Sequence, residues 1–189
     1  QAPRDFSVEN AIWWIKETGI DGFRLDAVKH IQMAWLTQLR SRVKGEIVKS
    51  GGSRFYMVGE TFSGDKNVIK KFVDADTKLD GQFDFPLRVA MVKTILMRQG
   101  SFADLDNELK SSASFYGASS IMSNFTGNHD IPRPIHFAED QPMWDNVWAN
   151  GKERGWDNTP SAPNSDSAYE RLQIGFTVLF TIPGIPLIY

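Results

Sequence analysis

The chain of 189 residues contains no cysteine, which excludes disulfide cross-links and thiolate metal ligands while leaving the compartment open. Strong charge of either sign is also missing: 21 Lys and Arg face 23 Asp and Glu, for a formal net charge of −2. That balance gives no reason to expect nucleic acid or an anionic membrane as a partner. No apolar run is long enough to span a bilayer. Internal repeats and low-complexity tracts are absent. There is no initiator methionine and no signal peptide; Gln1 opens in mid-phrase, and the apolar stretch 184–189 stops without a turn or cap. Such ends are expected of a piece of something longer.

What is present reads as a soluble globular chain, with 41% hydrophobic and 23% charged residues and enough length for a sizeable core. Short apolar strands alternate with amphipathic helices, the order that builds βα units around a parallel sheet. A helix is expected over 8–18 with Gly19 as its C-cap, then a strand over 22–26. Ile31, Trp35, Leu39, Val43 and Ile47 recur every four residues, predicting one long helix closed by Gly51 and Gly52. A second strand is expected over 55–59, a short helix over 67–73, and a third strand over 82–87 limited by Pro86. Helices over 87–98 and 102–110 follow, the latter N-capped by Ser101. A fourth strand is expected over 121–126, and residues 131–167 read as a loop insertion with little periodicity. A helix over 168–180, a turn at Pro183-Gly184 and a last strand complete five strands.

Polar residues gather where those strands end. Asp26, Glu60 and Asp130 each follow a different strand, and in a parallel barrel the chemistry sits at the C-terminal strand ends. Arg24 and Asp26 are two apart, so they share one face of a strand while Phe23 and Leu25 take the other. A guanidinium beside a carboxylate favours its ionised form, which suits a nucleophile. Gly59 would let the backbone turn tightly before Glu60. A Glu walled by apolar groups can hold and donate a proton near neutral pH. One ionised and one protonated carboxyl is the division that glycoside hydrolysis needs. Taken singly, each signal has a plainer reading. An Asp after a strand commonly caps a helix, a lone Glu is commonly solvated, and Asn-His-Asp suits a turn or a metal site. Their shared position on successive strands is the argument.

The same residues resemble the motifs of a known family. Residues 22–30, Gly-Phe-Arg-Leu-Asp-Ala-Val-Lys-His, look like the nucleophile motif of the α-amylase family of glycoside hydrolases. Val58-Gly59-Glu60 resembles its acid/base motif, and residues 125–130, Phe-Thr-Gly-Asn-His-Asp, its third-carboxylate motif. The resemblance implies an α/β fold, a partial (β/α)8 TIM barrel from the C-terminal portion of the catalytic domain, covering about strands four to eight. It implies Asp26 as nucleophile, Glu60 as general acid and then base, and Asp130 as the group that binds hydroxyls of the reacting sugar. Arg24 would orient Asp26, and His129 would bond the same ring. Lys29-His30 resembles members acting on α-1,4-glucans, where the pair lines the leaving-group side; the plainer reading is an exposed first helical turn. Calcium is implied as a possible cofactor, with the backbone carbonyl of His30 as one metal ligand and the others outside this chain. An extracellular or periplasmic location is also implied.

Phe137, Trp144, Trp148 and Trp156 in the insertion could stack on sugar rings or pack a small core of their own. Asp65, Asp74, Asp76, Asp80 and Asp84 read as solvated loop and strand-end residues with no metal-binding spacing. The family's first three strands, another motif with an Asp and a His, and a C-terminal β-sandwich have no counterpart here. The missing barrel strands of a parent chain are therefore expected partners, since five strands cannot close an eight-stranded barrel. The expected function is hydrolysis of α-1,4-glucosidic bonds by a retaining double displacement, with the fragment alone inactive. A transglycosylase uses the same residues, and a non-catalytic binding subunit would not need all three carboxylates.

Overall fold

The computed structural model describes residues 2–48, 54–150, 159–163 and 165–189. It divides into two compact units: Gln1–Phe83 with Tyr116–Met122, and Asp84–Phe115 with Ser123–Tyr189.

In the first unit, helix α1 (Pro3–Thr18) begins earlier than its periodicity suggested, because Pro3 occupies the first turn, where a missing N–H is harmless. It ends at Gly19, whose φ of 66° is left-handed and whose N–H bonds Ile15 O at 2.9 Å. Strand β1 (Gly22–Leu25) leads into a 3-10 turn (Val28–His30) and then α2 (Met33–Arg42). The single helix expected over 31–47 is therefore interrupted. Ile31 is extended, and beyond Arg42 the coil widens into a π-helical stretch, Val43–Val48. Gly51 and Gly52 lie outside the described residues.

Strand β2 (Tyr56–Gly59), helix α3 (Lys66–Lys70) and strand β3 (Gly81–Gln82) follow. The three strands lie in the order β1-β2-β3, all parallel, with Gly22 opposite Tyr56 and Leu25 opposite Gly59. Alternation sends Phe23 and Leu25 against a core of Val8, Ile12, Ile15, Leu36, Leu39, Met57 and Leu79. That seam fixes α1 and α2 beneath the sheet, and truncating a residue such as Leu39 there costs about 2–5 kcal/mol.

The second unit contains α4 (Phe85–Met91), which runs on as a π-helical stretch (Val92–Leu96), and α5 (Phe102–Phe115). The third strand expected over 82–87 is thus corrected: it stops at Gln82, and residues 85–87 are helical. Asp84 is the reason, since its carboxylate accepts Leu87 N–H at 3.1 Å as an N-cap. Pro86 marks a helix start, not a strand limit. Ser101 caps α5 as read, accepting Asp104 N–H at 3.1 Å.

Strand β4 (Ser123–Phe125) is followed by a single-turn α6 (Pro134–Phe137) inside the expected insertion, then α7 (Ser167–Thr181) and β5 (Ile185–Leu187). Strands β4 and β5 pair in parallel, Ser123 opposite Ile185. Gly184, with φ of 124°, makes the turn that feeds β5. Leu87, Met91, Val92, Leu96, Leu105, Phe137, Trp144 and Leu179 form this unit's core. The class is α/β with parallel strands, as the alternation of strands and helices predicts. No described helix is long and apolar enough to cross a membrane.

Candidate active site

In the first unit the chemistry collects at the C-terminal ends of β1 and β2. The parallel register brings Leu25 opposite Gly59, so the next residues, Asp26 and Glu60, leave the sheet side by side. Backbone bonds tie the two exits together: Glu60 N–H to Leu25 O at 2.9 Å, and Val28 N–H to Glu60 O at 2.8 Å. Arg24 then bridges the two side chains. One terminal nitrogen donates to Asp26 Oδ1 at 2.5 Å and the other to Glu60 Oε2 at 2.6 Å. The guanidinium also lies over the Phe83 ring, 5.5 Å from its centroid. The two carboxylates differ in setting: the Asp26 side chain is 72% exposed and that of Glu60 only 7%. Glu60 was expected among apolar walls; it is enclosed, but with an ion pair on one side.

Ala27, immediately after Asp26, adopts φ 46°, a left-handed conformation that costs a non-glycine residue roughly 1–2 kcal/mol. That bend turns the chain into the 3-10 turn carrying Lys29 and His30, both exposed. Lys29 Nζ donates to Phe62 O at 3.1 Å, so its head group is engaged across the turn. Gly59 is needed for a reason other than the tight turn first read. Its φ is not left-handed; instead a Cβ would stand 2.5 Å from Leu79 Cδ1 and 2.6 Å from Val28 Cγ2. Space, not backbone freedom, requires glycine there.

Calcium takes six to eight oxygen ligands. Among the described residues no group of three or more His, Asp or Glu side chains gathers to hold a metal. The His30 carbonyl alone does not make such a site.

In the second unit, β4 runs into the segment carrying the third motif. Asn128 is buried, and its side-chain oxygen accepts Asp130 N–H at 2.9 Å. His129 and Asp130 are exposed neighbours, with Nε2 and Oδ2 3.4 Å apart, and the His129 ring lies 5.7 Å from that of Tyr189. Arg24, Asp26 and Glu60 are thus brought into one hydrogen-bonded group in the first unit. His129 and Asp130 form a second group in their own unit.

Two other expectations resolve differently. Phe137 and Trp144 are buried in the second unit's core, their rings 5.9 Å apart, and Trp148 stacks on Phe85 at 6.0 Å. The packing reading holds for these rings; Trp156 lies outside the described residues. The acidic stretch is not uniformly solvated either. Asp80 pairs with the buried Arg40 at 2.6 Å, and Asp84 is fully enclosed, bonded also to Ser112. Asp65 caps α3, and Asp74 accepts the N–H groups of Asp76 and Thr77.

Sequence reasoning also passed over Arg88. It is wholly buried, with Nε donating to Thr126 O at 3.2 Å and Nη1 to Val147 O at 2.9 Å. A charged residue at an inward position of an otherwise apolar helix face was the available signal.

The chain is 32% identical over 127 residues to an α-amylase of Streptomyces lividans, covering 64% of this chain and 13% of that one. It is 23% identical over 192 residues to a cyclomaltodextrin glucanotransferase of Klebsiella oxytoca, covering 97% of this chain and 28% of the relative. The crystal structure of a Geobacillus thermoleovorans α-amylase complexed with acarbose superposes with a TM-score of 0.71 and 28% identity, over 98% of this chain and 35% of that one. The chain therefore spans between about an eighth and a third of these proteins, and it carries part of their (β/α)8 barrel. Residues 7–150 match the family model for the α-amylase catalytic domain, and the chain belongs to the α-amylase family.

Proposed function

We propose that the protein hydrolyses α-1,4-glucosidic bonds of starch-like glucans with retention of configuration. The observation that carries this reading is the Arg24 bridge, which holds an exposed Asp26 and an enclosed Glu60 side by side at adjacent parallel strand ends. Two carboxyls so close suit a double displacement, in which they stand about 5–5.5 Å apart. An Asp26 oxygen attacks the anomeric carbon as Glu60, which must be protonated despite its bond from Arg24, gives its proton to the leaving glycosidic oxygen. The resulting glycosyl ester is hydrolysed by water that returns a proton to Glu60, releasing Asp26. Arg24 orients Asp26 between the two steps. Asp130 and His129 contact hydroxyls of the reacting ring, and positive charge developing at the anomeric carbon is favoured by the carboxylates. Lys29 and His30 face the leaving-group side, which requires Lys29 to exchange its Phe62 bond for a sugar hydroxyl.

The substrate class is supported by the acarbose complex of the Geobacillus relative. A calcium ion, where bound, would take the His30 carbonyl as one ligand and find its other oxygens elsewhere. Transfer to a sugar hydroxyl in place of water is the second reading, favoured by the likeness to the glucanotransferase. Product analysis on starch separates them: cyclic or elongated glucans mean transfer. The primary test is Glu60→Gln in the full-length protein, with maltotriose binding measured alongside. We expect kcat to fall about 10²–10⁴-fold with binding retained. A loss below tenfold contradicts the assignment.

A further inference from the structure

Arg88 is a buried cation whose partners among the described residues are neutral. Its side chain sits inside the second unit's core and reaches three separate pieces of backbone or ring. Nε holds the Thr126 carbonyl, Nη1 holds the Val147 carbonyl, and the guanidinium lies over Phe137, 5.7 Å from the ring centroid. Nη2 has no hydrogen-bond partner among the described residues. Burial alone pushes the Arg88 guanidinium down to about 10, so it remains charged at neutral pH.

A buried charge with no counter-ion among the described residues is a poor way to stabilise a core; apolar residues of similar volume commonly do as well or better. Its geometry suggests another use. Thr126 is the last residue of the β4 exit before Gly127-Asn128-His129-Asp130, and Val147 belongs to the segment that follows that motif. Arginine's planar fork donates in fixed directions, so one side chain can set the distance between two carbonyls. Phe137, the end of α6, supplies the surface on which the fork rests. From Thr126 onward the chain is then constrained by Asn128, whose side chain bonds Asp130 N–H.

We propose that Arg88 is a positioning residue for the third motif: by clamping the Thr126 and Val147 carbonyls it fixes the segment that presents His129 and Asp130 to the sugar. It touches no substrate and acts through the backbone. The inference rests on the retaining-hydrolase reading.

The test is a double-mutant cycle in the full-length protein, combining Arg88→Met with His129→Ala and measuring kcat/KM on starch and thermal midpoint together. Alone, Arg88→Met should lower kcat/KM by up to about 10²-fold, the scale of a small misplacement far from the chemistry. In the His129→Ala background the same change should cost less, because one of the two contacts it positions is already gone. Arg88→Lys, which keeps the charge but has no fork, should recover only part of the loss; it also serves if the Met variant does not fold. Effects that multiply to within about twofold would mean that Arg88 and His129 act independently, and the proposal fails. A change in thermal midpoint with unaltered kcat/KM overturns it as well. Absence of starch hydrolysis in the unmodified protein would instead sink the functional reading.

Discussion

The buried arginine of each unit, Arg40 in the first and Arg88 in the second, is held in an opposite way. In the first, arginines meet carboxylates: Arg24 bridges Asp26 and Glu60, and Arg40, only 3% exposed, pairs with Asp80 and also donates to Lys78 O at 2.5 Å. In the second, Arg88 is enclosed completely and its acceptors among the described residues are main-chain carbonyls. A paired charge stabilises a particular partner and becomes costly when that partner is stranded. A charge among carbonyls fixes backbone, and removing it strands only neutral groups. The contrast separates a structural ion pair from a backbone clamp.

The largest expected effect tests that separation directly. Arg40→Met leaves Asp80 without its cation and should cost about 3–5 kcal/mol, as measured by urea denaturation. Arg88→Met should cost less, because relief of an uncompensated buried charge offsets the two carbonyls left unpaired. Equal losses would erase the distinction between the units.

A middle-sized effect concerns one glycine inside each of two motifs, Gly59 and Gly127. Gly59→Ala drives a Cβ into Leu79 and Val28, both fully buried, and should cost about 1–3 kcal/mol. At Gly127 the new Cβ would meet the Pro134 ring at 2.7 Å, but Pro134 is partly exposed and has room to shift. Gly127→Ala should therefore be the milder change in the same denaturation assay. The reverse order would mean that the third motif's segment is the more tightly packed.

The smallest effect is a pH dependence in which the units should agree. Hydrogen bonds from Arg171, then Ser167 and Ser165, hold the Asp140 carboxyl down to about 2. Arg42, then Lys16, does the same for Glu46. Both values are depressed on folding, so the stability they contribute is complete above the ordinary values of 3.8 and 4.5. It is lost as pH falls towards about 2. Both pairs are open to solvent, so the contribution is small. The stability difference between the protein and Asp140→Asn, or Glu46→Gln, should stay flat above those values and close below them. A difference that persists at pH 2 would assign the effect to packing.

Much of the fold was legible because local chemistry carried it. Gly19 ends α1 by its left-handed φ, Ser101 caps α5, and the alternation of Phe23 and Leu25 with Arg24 set the faces of β1. The failures were local rules with two meanings. Pro86 serves a strand edge or a helix start, and only the side chain of Asp84 bonding Leu87 N–H decides for the helix. A period of four ran through Ile31, although the chain was already committed to the 3-10 turn after Ala27. Aromatic residues in the insertion could serve sugar or core, and packing claimed Phe137 and Trp144.

By itself, the sequence determined which residue types stand at the strand ends, since motif order and the two-residue alternation of a strand depend on covalent spacing alone. It determined in the same way that Arg24 and Asp26 share a face. The tertiary structure decided what each charge meets: that Arg24 spans to a carboxylate 36 positions away, that Asp80 is claimed by Arg40, and that Arg88 faces carbonyls. Such partners are separated by dozens of residues, and only chain packing brings them within hydrogen-bonding distance.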